Sequence, residues 1–200
     1  MTTAAIATET DLLTLVKQRA PRERIAAFLD DLTPNARVAA ALSLRGRDVG
    51  RLYRAVAGGP TLGLTDLVPS DVAEDTTVIF EGRNSLPTFS RFQKRFARMG
   101  DQIVGYNHQT MAPVTGPGFF VVAEAHDDAD VPGELYFDYT QKPGRIPTGW
   151  PKFKPNESGL STLVYAHMKD YMRPVAHNVM VGEAYQKGGS QRQFFILARV

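Results

Sequence analysis

The C-terminal stretch constrains the fold more than any other part of the chain. HNVMVGEAYQ (His177–Gln186) and RQFFILARV (Arg192–Val200) flank KGGS, whose glycines supply the positive φ of a tight hairpin turn. In the second strand Phe194, Ile196 and Ala198 fall on one face and Phe195 and Leu197 on the other. A strand apolar on both faces has to be covered on both. The hairpin makes the pairing antiparallel, so the sheet needs helices on one side and strands or loops on the other.

The N-terminal part of the chain supplies the helices. Apolar residues recur at helical spacing from Thr10 to Ala57, and Pro21 and Pro34 stand where a first helical residue tolerates proline. The spacing predicts helices over Thr10–Arg19, Pro21–Leu32, Pro34–Leu44 and Asp48–Ala57, ended by Gly58, Gly59 and Pro60. A faint repeat links Pro21, Arg24, Ile25 and Leu29 to Pro34, Arg37, Val38 and Leu42, but two copies fall short of a solenoid. Residues 61–75, with Gly63, Pro69 and four acidic side chains, read as a connector.

Beyond the connector the chain reads as alternating strands and helices. Thr76–Asn84, Asp101–Gln109, Gly118–His126 and Glu134–Thr140 are strand-like, and the acidic stretch His126–Gly133 joins the last two as a hairpin. In Thr88–Met99, Phe89, Phe92, Phe96 and Met99 sit at i, i+3, i+7 and i+10 with basic residues between them, which predicts a helix. Leu160–Met172 carries a second helical pattern, closed by Pro174. Between them residues 141–159 hold four prolines and the sole tryptophan, Trp150. The expected fold class is therefore α+β. A cluster of short helices (1–60) and a connector (61–75) precede a domain (76–200) with a curved, mainly antiparallel sheet of about six strands, open or partly closed as a barrel, and one or two further helices.

Composition excludes several chemistries. There is no cysteine, so thiolate zinc sites, disulfides and cysteine nucleophiles are ruled out. The balance of 23 basic and 21 acidic residues argues against nucleic acid as a partner. The longest apolar runs, such as Phe119–Ala123, are far shorter than the ~20 residues of a membrane-spanning helix. With no basic, apolar leader at the start, the expected location is cytoplasmic.

Candidate site residues gather at strand ends. Arg83 and Asn84 stand where the first strand gives way to the expected helix, a place suited to an anion or to a capping turn. Tyr106 and His108 share one face of a strand leaving the core, so His108 offers an acid, a base or a ligand donor. Asp138 lies mid-strand between aromatics, which suits either a functional carboxylate or the anchor of the proline-rich loop, and Trp150 can close over a pocket or pin that loop. None of the four histidines stands in a metal-binding spacing, so no metal site and no particular cofactor is assigned. The basic face of the Phe89–Met99 segment reads as solvated. The leading functional expectation is a small-molecule-binding domain, a sensor or carrier for an organic ligand, using Arg83, Asn84, Tyr106, His108, Asp138 and Trp150. Two alternatives stand beside it. One is an enzyme with His108 or His167 as acid or base and Asp138 orienting it. The other is an interaction module whose helical N-terminal region docks a protein partner or a second copy of the chain.

Overall fold

The computed structural model describes residues 10–88, 90–109, 116–124, 131, 133–156 and 165–200. Eight strands, β1 (Val78–Asn84), β2 (Arg91–Met99), β3 (Gln102–His108), β4 (Phe119–Ala123), β5 (Leu135–Asp138), β6 (Met168–Ala176), β7 (Val179–Gln186) and β8 (Gly189–Arg199), form a closed barrel. Each pairs antiparallel with the next, and β8 returns to β1 with Arg83 opposite Ile196. Closure removes every sheet edge. The α+β class and the antiparallel pairing stand as expected, but the sheet has eight strands rather than about six.

One segment expected to be helical is a strand, and a second is strand over its last residues. Residues 88–99 hold β2, with Phe92, Lys94 and Phe96 facing into the barrel at the two-residue period of a strand. The helical spacing of the phenylalanines arises because Phe92 and Phe96, four apart, share a face under either period. The second expected helix is overturned from Met168 onward, where β6 occupies Met168–Ala176, while Tyr165 is helical and residues 157–164 lie outside the described residues. Pro174 does not end an element but sits at a register shift in β6, where a residue without an N–H is tolerated. The acidic stretch from His126 to Asp130 and the start of the expected helix at Leu160 lie outside the described residues.

The N-terminal helices α1 (Leu12–Lys17), α2 (Arg22–Asp30), α3 (Pro34–Ala41) and α4 (Arg47–Ala55) lie against the outside of β6, β7 and β8. Leu12, Ile25, Leu29, Val49 and Leu52 bury there against Val179, Val181, Ile196 and Ala198. The inner face of β8, Phe195 and Leu197, belongs instead to the barrel interior. The last strand is thus apolar on both faces because helices cover one and the opposite barrel wall the other. Lys187 and Gly188 both have positive φ, as the two-residue turn between β7 and β8 requires.

One end of the barrel is plugged. The stretch read as a connector carries α5 (Leu64–Leu67), and Leu62, Leu67 and Val68 join Val78, Phe96 and Ile103 in the interior core. Arg98 fastens the plug by donating to the carbonyls of Val68 and Pro69. The β1–β2 and β7–β8 turns lie at the other end, while the proline-rich stretch after β5 runs down the outside of the barrel to the plugged end, where Gly144 donates to Gln102 and Thr148 to Asp75. Arg173 ties the helices to the barrel. Its guanidinium pairs with Glu134 at 2.6 Å, donates to the Tyr53 carbonyl at 2.9 Å and stacks 3.8 Å from the Tyr53 ring. We expect Arg173→Met to lower stability by about 1–2 kcal/mol in urea unfolding, since it breaks a half-buried charge pair, a hydrogen bond and a ring contact together. A loss below a few tenths would show that α4 docks without it.

Candidate functional site

The interior polar centre begins with Lys94, in the middle of β2 between the inward Phe92 and Phe96. Its Nζ donates to Asn107 Oδ1 of β3 at 2.9 Å, to the Tyr139 hydroxyl after β5 at 2.5 Å and to Asp170 Oδ2 of β6 at 3.0 Å. The Tyr139 hydroxyl donates in turn to Asp170 Oδ2 at 3.0 Å and accepts from Asn107 Nδ2 at 3.0 Å. All four residues are buried, Lys94 to 2% and Asp170 to 3% exposure. The rings of Phe120, Phe137, Tyr139 and Phe195 surround the ammonium at 4.8–5.2 Å.

Burial among these rings holds the Lys94 pKa below the ordinary lysine range, against the opposing pull of Asp170. The Tyr139 hydroxyl is pushed well above its usual range, chiefly by burial and then by the Asp170 charge. A buried ion pair adds little stability compared with apolar residues of the same shape. Among the described residues this one stands alone as a charged pair in an otherwise apolar interior.

A cleft of about 720 Å³ lies at this end, over the outer face of β1, β2 and β3 and across the barrel rim, where it reaches the inward-facing Phe92. Phe92, Pro117 and Pro151 supply its apolar surface, and Arg91, His108, Lys152 and Lys154 its cationic or basic groups. Glu81 is the acid in its lining and accepts from Gln93 at 2.8 Å. The cleft and the buried centre share two links. The Phe92 ring stands 5.8 Å from Lys94 Nζ, and Gln109 donates to the Tyr165 hydroxyl at 2.9 Å, whose ring stacks on Tyr139 at 5.4 Å. His108 titrates below the ordinary imidazole range because of partial desolvation and the nearby Arg95 charge.

Three of the residues singled out in the sequence come together here. Tyr106 meets the Trp150 indole edge-on at 4.7 Å and His108 at 6.3 Å. Trp150 also donates from Nε1 to Thr77 Oγ1, and it packs with Phe153 on Phe119, so the proline-rich loop is laid against the outside of β3 and β4. The remaining candidates sit elsewhere. Arg83 is buried and donates to the Leu42 carbonyl at the end of α3, joining the helical layer to β1. Asn84 accepts from the Leu86 amide in the β1–β2 turn; no helix begins there. Asp138 accepts from the Thr140 amide and hydroxyl and from Gln141, as the anchor of the loop that follows it. His167 is exposed at a positive φ, and no hydrogen bond or salt bridge joins it or His108 to Asp138. Among the described residues no group of three His, Asp or Glu is placed to hold a metal ion.

Lys94, Asn107, Tyr139 and Asp170 were not singled out as site residues. Their signal was a polar residue interrupting an apolar two-residue alternation, as in Phe92-Lys94-Phe96 and Met168-Asp170-Met172. Fold and site together define a helix-backed, eight-stranded up-and-down barrel with a buried lysine–aspartate centre near its unplugged end. No protein-family model, curated protein or solved structure matches the chain.

Proposed function

We propose that the barrel binds a small organic anion, as a carrier or sensor, in the cleft formed by β1, β2, β3 and the proline-rich loop. The observation that carries this reading is the cleft's composition: an apolar floor at Phe92, Pro117 and Pro151 beneath Arg91, His108, Lys152 and Lys154, with Glu81 already engaged by Gln93. Such a lining suits a ligand with an aromatic or aliphatic body and a carboxylate or similar group. The barrel interior is filled by side chains, so the ligand sits outside it, in a cleft of the usual size for one small molecule. The acid–base alternative draws no support from the placement of His108, His167 and Asp138. The docking alternative draws none from α1–α4, whose apolar faces are buried against β6–β8.

Calorimetric titration with 2-naphthoate, 2-naphthalenemethanol and 2-naphthylmethylammonium tests the reading. The carboxylate is expected to bind saturably, the alcohol about tenfold more weakly and the cation not at all. Lys152→Ala with Lys154→Ala should reduce carboxylate affinity several-fold while leaving the alcohol unchanged. Equal affinity for all three, or binding of none, would refute the proposal.

The same titration carries a pH signature. Protonation of His108 adds a positive charge to the cleft, and its pKa lies below the ordinary imidazole range. Naphthoate affinity should therefore rise as pH falls below about 6.5, while the carboxylate of the probe remains ionised. His108→Gln should flatten that rise, and a rise that survives the substitution would assign it to another group.

A further inference from the structure

A second site lies on the opposite side of the β1–β2 turn. A groove of about 440 Å³ runs between α4 and the outer face of β8, lined by Arg47, Arg51, Arg54, Arg192, Ser85 and Phe194. We propose that this groove binds the phosphate group of a small ligand, independently of the anion cleft.

Charge is the first ground. The whole chain carries a net charge of +2, yet four guanidiniums converge here. Arg51 pairs with Asp48 at 2.5 Å, while among the described residues Arg47, Arg54 and Arg192 make no salt bridge. Three uncompensated guanidiniums around one depression repel one another, and an anion that bridges them removes that cost. Guanidinium forks match the oxygens of a phosphate in pairs, which several lysines scattered on a surface would not do.

Local geometry is the second ground. Arg47, Arg51 and Arg54 recur at i, i+4 and i+7, so one face of α4 carries all three. Gly46 and Gly50 keep that face free of other side chains. The Phe194 ring lies where a side chain on Gly50 would stand, 2.8 Å from its Cβ position, and forms the groove floor with Arg54 stacked at 5.8 Å. Gly46 offers no side-chain cap to the first turn of α4, and Asp48, the acidic residue of that turn, is engaged by Arg51. Ser85 Oγ accepts from the Phe194 amide, which leaves its hydroxyl hydrogen to donate outward.

The size of the groove and the near-neutral chain favour a compact ligand over an extended nucleic-acid backbone, which needs a broad basic footprint. The phosphate can come from a soluble metabolite or from a lipid headgroup. Leu86, 42% exposed and next to Ser85, is what gives the second source a physical basis.

Calorimetry with pyrophosphate near 0.15 M salt, sedimentation with phosphatidylcholine vesicles containing phosphatidate, and a single-stranded oligonucleotide provide the test. Pyrophosphate should bind saturably, and Arg47→Ala with Arg192→Ala should weaken it by about tenfold or more. Lys17→Ala with Arg24→Ala, outside the groove, should not. Sedimentation with phosphatidate vesicles that pyrophosphate reverses, and that the groove variant loses, supports the same site with a headgroup as the source. Absence of saturable binding to either, equal loss in both double variants, or binding of the oligonucleotide alone would overturn the proposal. Naphthoate binding in the groove variant should be unchanged, which separates this outcome from failure of the anion cleft.

Discussion

Asp170→Asn is expected to lower the stability of the barrel by about 3–5 kcal/mol, a fall in melting temperature of roughly 10 °C or more. The substitution keeps shape and an acceptor oxygen but removes the charge 3.0 Å from Lys94 Nζ. An ammonium is then left among four aromatic rings with only neutral acceptors, Asn107 and Tyr139, beside it. The pH dependence follows. Burial already depresses the Lys94 pKa, and loss of Asp170 removes the charge opposing that shift. In the pH range between its folded and unfolded pKa values the variant binds fewer protons folded than unfolded. Its stability should therefore rise with pH toward the ordinary lysine pKa and fall again on acidification. Lys94→Met combined with Asp170→Leu should cost less than Asp170→Asn alone, because no charge remains to be stranded. Two single substitutions whose costs simply add would show that the pair is not coupled. A loss under about 1 kcal/mol for Asp170→Asn would show instead that Lys94 is held neutral in the wild type.

This centre also explains where sequence reasoning went astray. The two strands taken for helices, β2 and β6, are the two that contribute Lys94 and Asp170. In each, a charged residue occupies the inward position between two apolar ones, so the two-residue alternation is broken where the strand is most buried. A helical period then fits the remaining phenylalanines and methionines better. Polarity placed inside the barrel thus disguised the elements that carry it. The flanking elements had no such conflict. Pro21, Pro34 and the amphipathic spacing of α2–α4 made the helical layer readable, and the doubly apolar β8 announced cover on both sides.

The candidate residues were readable in part for a related reason. Tyr106, His108 and Trp150 lie outside the barrel wall, where a polar or aromatic residue at a strand end or in a loop is visible as an anomaly. Their convergence depends on the proline-rich loop folding back across β3, a contact some 40 residues apart that no local pattern specifies. Arg83 is conspicuous at a strand end and Asp138 mid-strand between aromatics, yet their partners are the Leu42 carbonyl and the Thr140 and Gln141 donors. Each closes a structural junction. Their position in the strands marks them as constrained without saying by what.

Closure of the barrel rests on a device legible only once the register is known, and it leads to the second large expected effect. Gly82 pairs with Phe92, Gly105 with Phe120 and Gly182 with Phe195, so three inward glycines each face a phenylalanine on the neighbouring strand. Each ring reaches into the space its glycine's missing side chain leaves. A Cβ on Gly105 would stand 2.3 Å from the Phe120 ring, and one on Gly182 would stand 2.4 Å from Phe195 and 2.5 Å from Met172 Sδ. Both glycines are in extended strands with ordinary φ, so the penalty of alanine there is steric. Gly105→Ala is the more severe, because the Arg95 carbonyl at 3.0 Å blocks retreat on the other side. We expect it to cost about 2–3 kcal/mol or more by overpacking. Phe120→Leu in the same chain should recover part of that loss, although Phe120→Leu alone destabilises by emptying space against Phe96 and Phe137. Equilibrium unfolding of the two singles and the double variant measures the coupling. A favourable interaction energy of about 1 kcal/mol or more is expected. Strict additivity would mean that the ring moves aside freely and that closure does not depend on the glycine–phenylalanine pairs.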